Sequence, residues 1–256
     1  MKTIGLIGGM SWESTATYYR YINEAVRDQA GGLASAELIL NSLDFSKVVA
    51  LQKADRWDDA GVLLGAAGAG LVRAGADCVL ICTNTMHLVA DQVARMSGVP
   101  LIDIIDETAA VLKADGRKRP LLLATRYTME HGFYSDRMAA HGVSVQVPDA
   151  GDRAAVHEII FSELCQGVVS DVSRKRLEGI VAVAAERGAD SVILGCTEIQ
   201  LLLAADSLAL PGYDSTLIHA DAAVRFALSG EAGGRPGAAP QMMDIQSAGA
   251  GLLRTR

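Results

Sequence analysis

Several common devices are absent from this 256-residue chain. It has only four cysteines and no C-x-x-C pair, which excludes a disulfide scaffold. Its five histidines include no pair spaced for zinc, so no metal is expected. Positive charge is in deficit, with 23 Lys and Arg against 30 Asp and Glu, a net charge of −7 that argues against nucleic acid as the main partner. No apolar run approaches the roughly 18 residues of a membrane span. The N-terminus, MKTIGLIGGMSWES, makes a poor signal peptide because its apolar stretch is short and interrupted by Gly8-Gly9. A cytoplasmic location is expected. Gly5-Leu-Ile-Gly8-Gly9 does not supply G-x-G-x-x-G, and no P-loop is present, so no nucleotide cofactor is indicated.

What is present is a segment that occurs twice. Residues 75–88 read GADCVLICTNTMHL and residues 188–201 read GADSVILGCTEIQL. Each copy is a short apolar strand ending in a small, polar loop. Laid on the shared Gly-Ala-Asp, Asp77 matches Asp190, Cys82 matches Gly195, and Thr83 matches Cys196. Two similar halves, each offering a polar atom from a strand end, predict a cleft with chemistry on both walls.

Half the residues are apolar, enough for a sizeable core. Strands are predicted at 3–7, 37–41, 78–82, 101–104, 120–124, 143–147 and 191–195. Several are near-continuous apolar runs, as expected of parallel strands covered on both faces. Helices are predicted at 13–28, 55–74, 86–96, 106–114, 127–140, 152–165, 171–187 and 198–203. This alternation predicts an α/β fold with parallel sheets. The polar stretch 114–120 separates the repeats, dividing the chain into a first half, 1–115, and a second, 116–211. Segment 212–230 is expected to open with a turn and return to the first half as a helix. Residues 231–256, rich in Gly, Ala and Pro, are expected to be flexible.

Ligands bind beyond the carboxyl ends of strands in open α/β sheets, and helix starts suit carboxylates. Four loops fit. In Cys82-Thr83-Asn84-Thr85, neighbouring residues face opposite ways, and the repeat selects Thr83 rather than Cys82 for the cleft; Thr83 or Thr85 would serve equally as a helix cap. In Cys196-Thr197-Glu198, nearby helix-terminal N–H groups are expected to lower the thiol pKa, with Thr197 and Glu198 orienting substrate or capping. In Gly8-Gly9-Met10-Ser11 the glycines would let a carboxylate approach the backbone, with Ser11 a plausible cap. Thr125 and Thr128 would bind a carboxylate or cap a helix. Cys78 reads as core. Asp44, Asp55, Asp58 and Asp214 read as solvated charges or caps, and His87, His157 and His219 as structural, although His87 lies one turn beyond Thr83.

The pieces GLIGGMSWEST (5–15), CTNTMH (82–87), TRYTM (125–129), GCTEI (195–199) and DSTLIH (214–219), in this order, resemble the aspartate/glutamate racemase family, and within it the bacterial broad-specificity and L-aspartate/glutamate-specific kinds. The resemblance implies two pseudo-symmetric α/β domains, each a mostly parallel sheet flanked by helices, with the active site in the interdomain cleft. It implies a homodimer and racemisation of a small amino-acid substrate without pyridoxal phosphate or another cofactor. Thr83 and Cys196 would be catalytic, with Met10, Ser11, Asn84, Thr85, Thr125, Thr128, Thr197 and Glu198 binding substrate. Many members carry Cys-Asn-Thr where this chain has Thr83-Asn84-Thr85. A hydroxyl is a poorer base than a thiol, so abstraction by Cys196 is the expected efficient direction, with Thr83 returning the proton weakly or through water. Strict aspartate racemases of the family carry an Arg after the second strand and a Lys in the second half. Here those places read Asp44-Phe-Ser46-Lys47 and Glu163-Leu-Cys165, which leaves acidic and neutral amino acids both open. Two alternatives share the fold: a single-thiol decarboxylase or isomerase of dicarboxylic acids, and a non-catalytic amino-acid binding protein.

Overall fold

Among the described residues seven strands divide between two parallel sheets. The computed structural model describes residues 1–203 and 208–229, so the 231–256 tail lies outside the described residues. The first sheet contains β1 (Ile4–Gly8), β2 (Leu38–Ser42), β3 (Cys78–Ile81) and β4 (Leu101–Ile102), in the order β2-β1-β3-β4. Alternate side chains of β1 and β3 serve two cores, because strand side chains alternate in direction. Ile4, Leu6, Cys78 and Leu80 pack on α1 (Trp12–Ala30) through Tyr18, Ile22 and Val26. After α2 (Phe45–Lys53), the helices α3 (Trp57–Arg73) and α4 (Ala90–Ser97) cover the other face, where Ile7, Val79 and Ile81 meet Leu64, Leu71 and Val93. Burial on both faces explains why these strands read as unbroken apolar runs.

α5 (Ile104–Ala114) precedes the expected boundary at 115/116, yet Ile104, Ile105, Ala109 and Leu112 enter the core of the second sheet. That sheet, β5 (Pro120–Leu123), β6 (Ser191–Leu194) and β7 (Gly212–Asp214), has the order β5-β6-β7. Its helices are α6 (Arg126–Glu130), α7 (Phe133–Ala140), α8 (Ala150–Glu158) and α9 (Asp171–Glu186). The last helix, α10 (Ser215–Leu228), buries Ala220, Ala223 and Val224 against the first-half core. No helix among the described residues is long and apolar enough to cross a membrane.

Several predicted elements are revised. The strand at 101–104 stops at Ile102 because Asp103 caps α5, its Oδ1 accepting from the Ile105 and Asp106 N–H groups at 2.8 and 3.3 Å. Segment 143–147 makes a single bridge, Gln146 to Leu121, before Pro148 removes a donor. The helix predicted at 127–140 breaks at Gly132 (φ 79°). The helix at 152–165 ends at Glu158 and continues as a π turn, Ile159–Glu163, and a 3-10 turn, Leu164–Gln166. The helix at 86–96 opens as a 3-10 turn, Thr85–Val89, and that at 198–203 is a 3-10 turn, Thr197–Leu201. The turn expected at 212 is β7 of the second sheet. α2 was not predicted; it starts because Asp44 Oδ1 accepts from the Ser46 N–H at 3.0 Å.

Candidate active site

The loops after β1, β3, β5 and β6 converge on one cavity of about 40 Å³, and Thr83 and Cys196 both line it. That volume holds a few water molecules. Met10, Ser11, Asn84, Thr85, Thr125, Thr197 and Glu198 also line the cavity. Thr128 does not; it lies behind the wall, its hydroxyl 3.0 Å from that of Thr85 and 3.2 Å from that of Thr125.

Gly9 after β1 holds φ 83°, and a Cβ there would collide with the Leu43 backbone. The Leu43 N–H donates to the Gly8 carbonyl at 2.9 Å. The tight approach at these glycines is therefore to the β2–α2 connection, which corrects the expectation that they admit a ligand carboxylate. Ser11 takes the expected capping role and also reaches the second half. Its Oγ accepts from the Ser14 N–H at 3.2 Å, capping α1, and donates to Glu198 Oε1 at 2.8 Å.

Beyond β3, Cys82 is fully buried among core residues, and burial pushes its thiol pKa up. Thr83, next in the chain and more exposed, lines the cavity, but Cys82 also borders it, so strand alternation does not by itself separate the two, and β3 already ends at Ile81. The N-cap position of the following turn belongs to Asn84 and lacks a side-chain cap bond. Thr83 is held through its carbonyl, which accepts from His87 Nδ1 at 2.8 Å, while His87 Nε2 accepts from the Ile104 N–H at 3.2 Å. These bonds fix the tautomer, and burial lowers the pKa of the ring. The Asn84 Nδ2 donates to Ser215 Oγ at 3.1 Å, and Ser215 Oγ donates to the Leu194 carbonyl at 2.9 Å. This chain ties the end of β3 to the end of β6. Asn84 Oδ1, buried at the cavity wall, has no partner. The Thr85 hydroxyl meets that of Thr125 at 2.9 Å across the two halves. Thr125 also caps α6, weakly, accepting from the Thr128 N–H at 3.4 Å.

At the end of β6, a Cβ on Gly195 would sit 2.8 Å from Leu122 and 3.0 Å from Ala124. That crowding explains why the repeat has glycine opposite Cys82. Cys196 Sγ donates to Glu198 Oε2 at 2.9 Å, and Thr197 Oγ1 donates to the same oxygen at 2.8 Å. The thiol pKa is raised, first by burial and then by the Glu198 carboxylate. This overturns the expectation of a lowered pKa. The turn after Cys196 is a 3-10 segment of five residues, too short for a dipole to outweigh an adjacent carboxylate.

Sequence reasoning missed Tyr18, Phe45, Gln52, Ile160, Phe161 and Cys165, all of which line the cavity. Phe45 and Gln52 lie on the unpredicted α2. Ile160, Phe161 and Cys165 lie on the π and 3-10 turns, where helical periodicity fails. No Lys or Arg among the described residues lines the cavity. Among the described residues no group of three or more His, Cys, Asp or Glu side chains is arranged for a metal ion. Asp214 caps α10, accepting from the Thr216 and Leu217 N–H groups at 2.8 and 3.2 Å. It is half-buried rather than solvated, and its desolvation raises its pKa to about 6.

A sequence profile of the Asp/Glu/hydantoin racemase family matches residues 7–223. A candidate Asp/Glu racemase from Yersinia pestis is 48% identical, with a TM-score of 0.84, covering 89% of this chain and all of that one. An aspartate racemase homologue from Pyrococcus horikoshii OT3 is 33% identical, with a TM-score of 0.78, covering 89% of this chain and 99% of that one. The aspartate racemase of Picrophilus torridus shares the fold at 21% identity, with a TM-score of 0.70, covering 89% of this chain and 94% of that one.

Proposed function

The chain belongs to the Asp/Glu/hydantoin racemase family, and on that premise we propose that it interconverts L- and D-amino acids by removing and returning the Cα proton without a cofactor. The observation that carries this reading is the placement of Thr83 and Cys196, from the ends of strands in different sheets, on one cavity. A pyridoxal mechanism starts from a lysine imine, and no lysine among the described residues reaches this cavity.

Glu198 and the unpartnered Oδ1 of Asn84 are acceptors suited to the α-ammonium group. The Thr85 and Thr125 hydroxyls are donors suited to the α-carboxylate. Negative charge that develops at Cα spreads into that carboxylate, so the same donors stabilise the carbanionic state. For Cys196 to act as a base, its proton must leave. Glu198 Oε2, 2.9 Å away, is positioned to take it, and an arriving ammonium group offsets the carboxylate charge that opposes thiolate formation. The Thr83 hydroxyl then donates from the other wall, and the proton held by Glu198, relayed through solvent, restores the hydroxyl and the carboxylate. In the reverse sense Thr83 must lose its proton, which a hydroxyl does far less readily.

The test is solvent deuterium incorporation at Cα, followed by NMR with chiral product analysis and no added cofactor. Exchange with inversion is expected for the native protein and a loss of about 10²–10⁴-fold for Cys196→Ser. Exchange unaffected by that substitution would sink the assignment.

A further inference from the structure

We propose, on the basis of the racemase reading above, that the preferred substrate carries an uncharged side chain rather than a second carboxylate. Charge at the cavity is the first reason. The α-ammonium and α-carboxylate of any amino acid cancel, so with Glu198 the occupied site already carries one net negative charge. A dicarboxylic substrate adds another. No Lys or Arg among the described residues lines the cavity to receive it. Lys47, Lys53 and Arg126 are each within two residues of the wall but are exposed and do not line the cavity, whereas their neighbours Phe45, Gln52 and Thr125 do. On the second half, Cys165 is part of the wall, and burial raises its pKa to about 12, so it stays a neutral thiol. A carboxylate here would be desolvated without a counter-charge and repelled by Glu198.

The shape of the wall is the second reason. Both halves contribute apolar surface: Phe45 and Met86 from the first, Ile160 and Phe161 from the second. Gln52 adds only a neutral amide, and its Nε2 lies 3.1 Å from Met86 Sδ. Such a surface accepts a flexible apolar or singly polar side chain at little desolvation cost. Methionine is a suitable probe because its thioether adapts to aromatic and aliphatic neighbours.

The experiment compares L-methionine with L-aspartate, using Cα deuterium exchange on the full chain and, in parallel, thermal shift with the same ligands. The expected kcat/KM for methionine exceeds that for aspartate by at least about 100-fold, equivalent to about 2.8 kcal/mol at 1.4 kcal/mol per decade. Cys165→Lys and Phe45→Arg, each adding a cation to the wall, are expected to shift the ratio toward aspartate by at least about 10-fold. Aspartate exchanging as fast as methionine would overturn the selectivity and leave the racemase reading intact. Absence of exchange with either ligand, while methionine alone raises Tm, would overturn the racemase reading and leave the selectivity standing. Exchange and thermal shift both absent, or a larger shift with aspartate, would overturn the selectivity as well.

Discussion

Replacing Glu198 by glutamine separates two effects that the carboxylate combines. Glu198 accepts from Ser11, Cys196 and Thr197 at 2.8, 2.9 and 2.8 Å. Its charge is one reason the thiol pKa is raised. A unit charge about 4 Å from the sulfur contributes about 4 kcal/mol at an effective dielectric constant of 20. Cys196 is half-buried and lines the cavity, so solvent screening reduces this contribution. Glu198→Gln keeps the volume and an acceptor but removes the charge. Thiolate at a fixed pH of 8 should then rise, and alkylation of Cys196 by iodoacetamide should accelerate roughly 10–100-fold. Racemisation should move the other way. The substrate ammonium loses its charged partner and the thiol its proton acceptor, so kcat/KM should fall about 10²-fold. The assay is alkylation rate against pH, read by mass spectrometry on the Cys196 peptide, beside deuterium exchange on the same preparation. If alkylation does not accelerate, the carboxylate does not hold the thiol pKa up. If turnover is unchanged, Glu198 has no part in the reaction.

Two further outcomes are expected. Enantiomers have equal free energies, so kcat/KM must be the same in both directions, and the weak hydroxyl shows only in kcat and in exchange without inversion. Thr83→Cys should raise kcat for the enantiomer whose Cα proton faces residue 83, and an unaltered kcat ratio on a chiral assay would count against the hydroxyl's role. Asp214, with a pKa raised to about 6 by burial, binds a proton in the folded state between about pH 4 and 6 that the unfolded chain does not. Its contribution therefore lowers stability as pH rises through that window, by about 3 kcal/mol in all at 1.36 kcal/mol per unit. Asp214→Asn retains a capping side chain, so its urea stability should decline less than the native protein's between pH 4.5 and 7. Parallel declines would refute the buried-carboxyl account.

The legibility of the site in the sequence follows the physics of each segment. The two-sheet α/β architecture could be read because strands buried on both faces leave continuous apolar runs, as in Leu121–Leu123 and Val192–Leu194. The placement of Thr83 and Cys196 on one cavity could be read from the repeat, whereas strand alternation did not exclude Cys82, which also lines the cavity and differs from Thr83 by its complete burial. The segmentation of the helices could not. Gly132 breaks one, a π turn continues another, and Asp55 at φ 55° separates α2 from α3. Many of the cavity residues missed from sequence lie on these irregular stretches or on the unpredicted α2; Ser14 and Tyr18 of α1 and Thr216 of α10 instead sit on regular helices, where they read as ordinary buried positions. The thiol pKa was misjudged for a related reason. A helix start lowers it through local geometry, but burial and the folding-back of Glu198 act through solvent exclusion and charge contact.

By itself, then, the order of residues determined the alternation of strands and helices, the internal duplication and the two polar groups at its loop ends. These depend on periodicity and neighbours within a few positions. Tertiary structure alone decided that Ser11 reaches Glu198 across 187 residues, that Lys47 points away while Phe45 lines the wall, and that Cys196 rests as a thiol. Those outcomes depend on which distant surfaces exclude water and which charges they bring together, and no spacing along the chain encodes them.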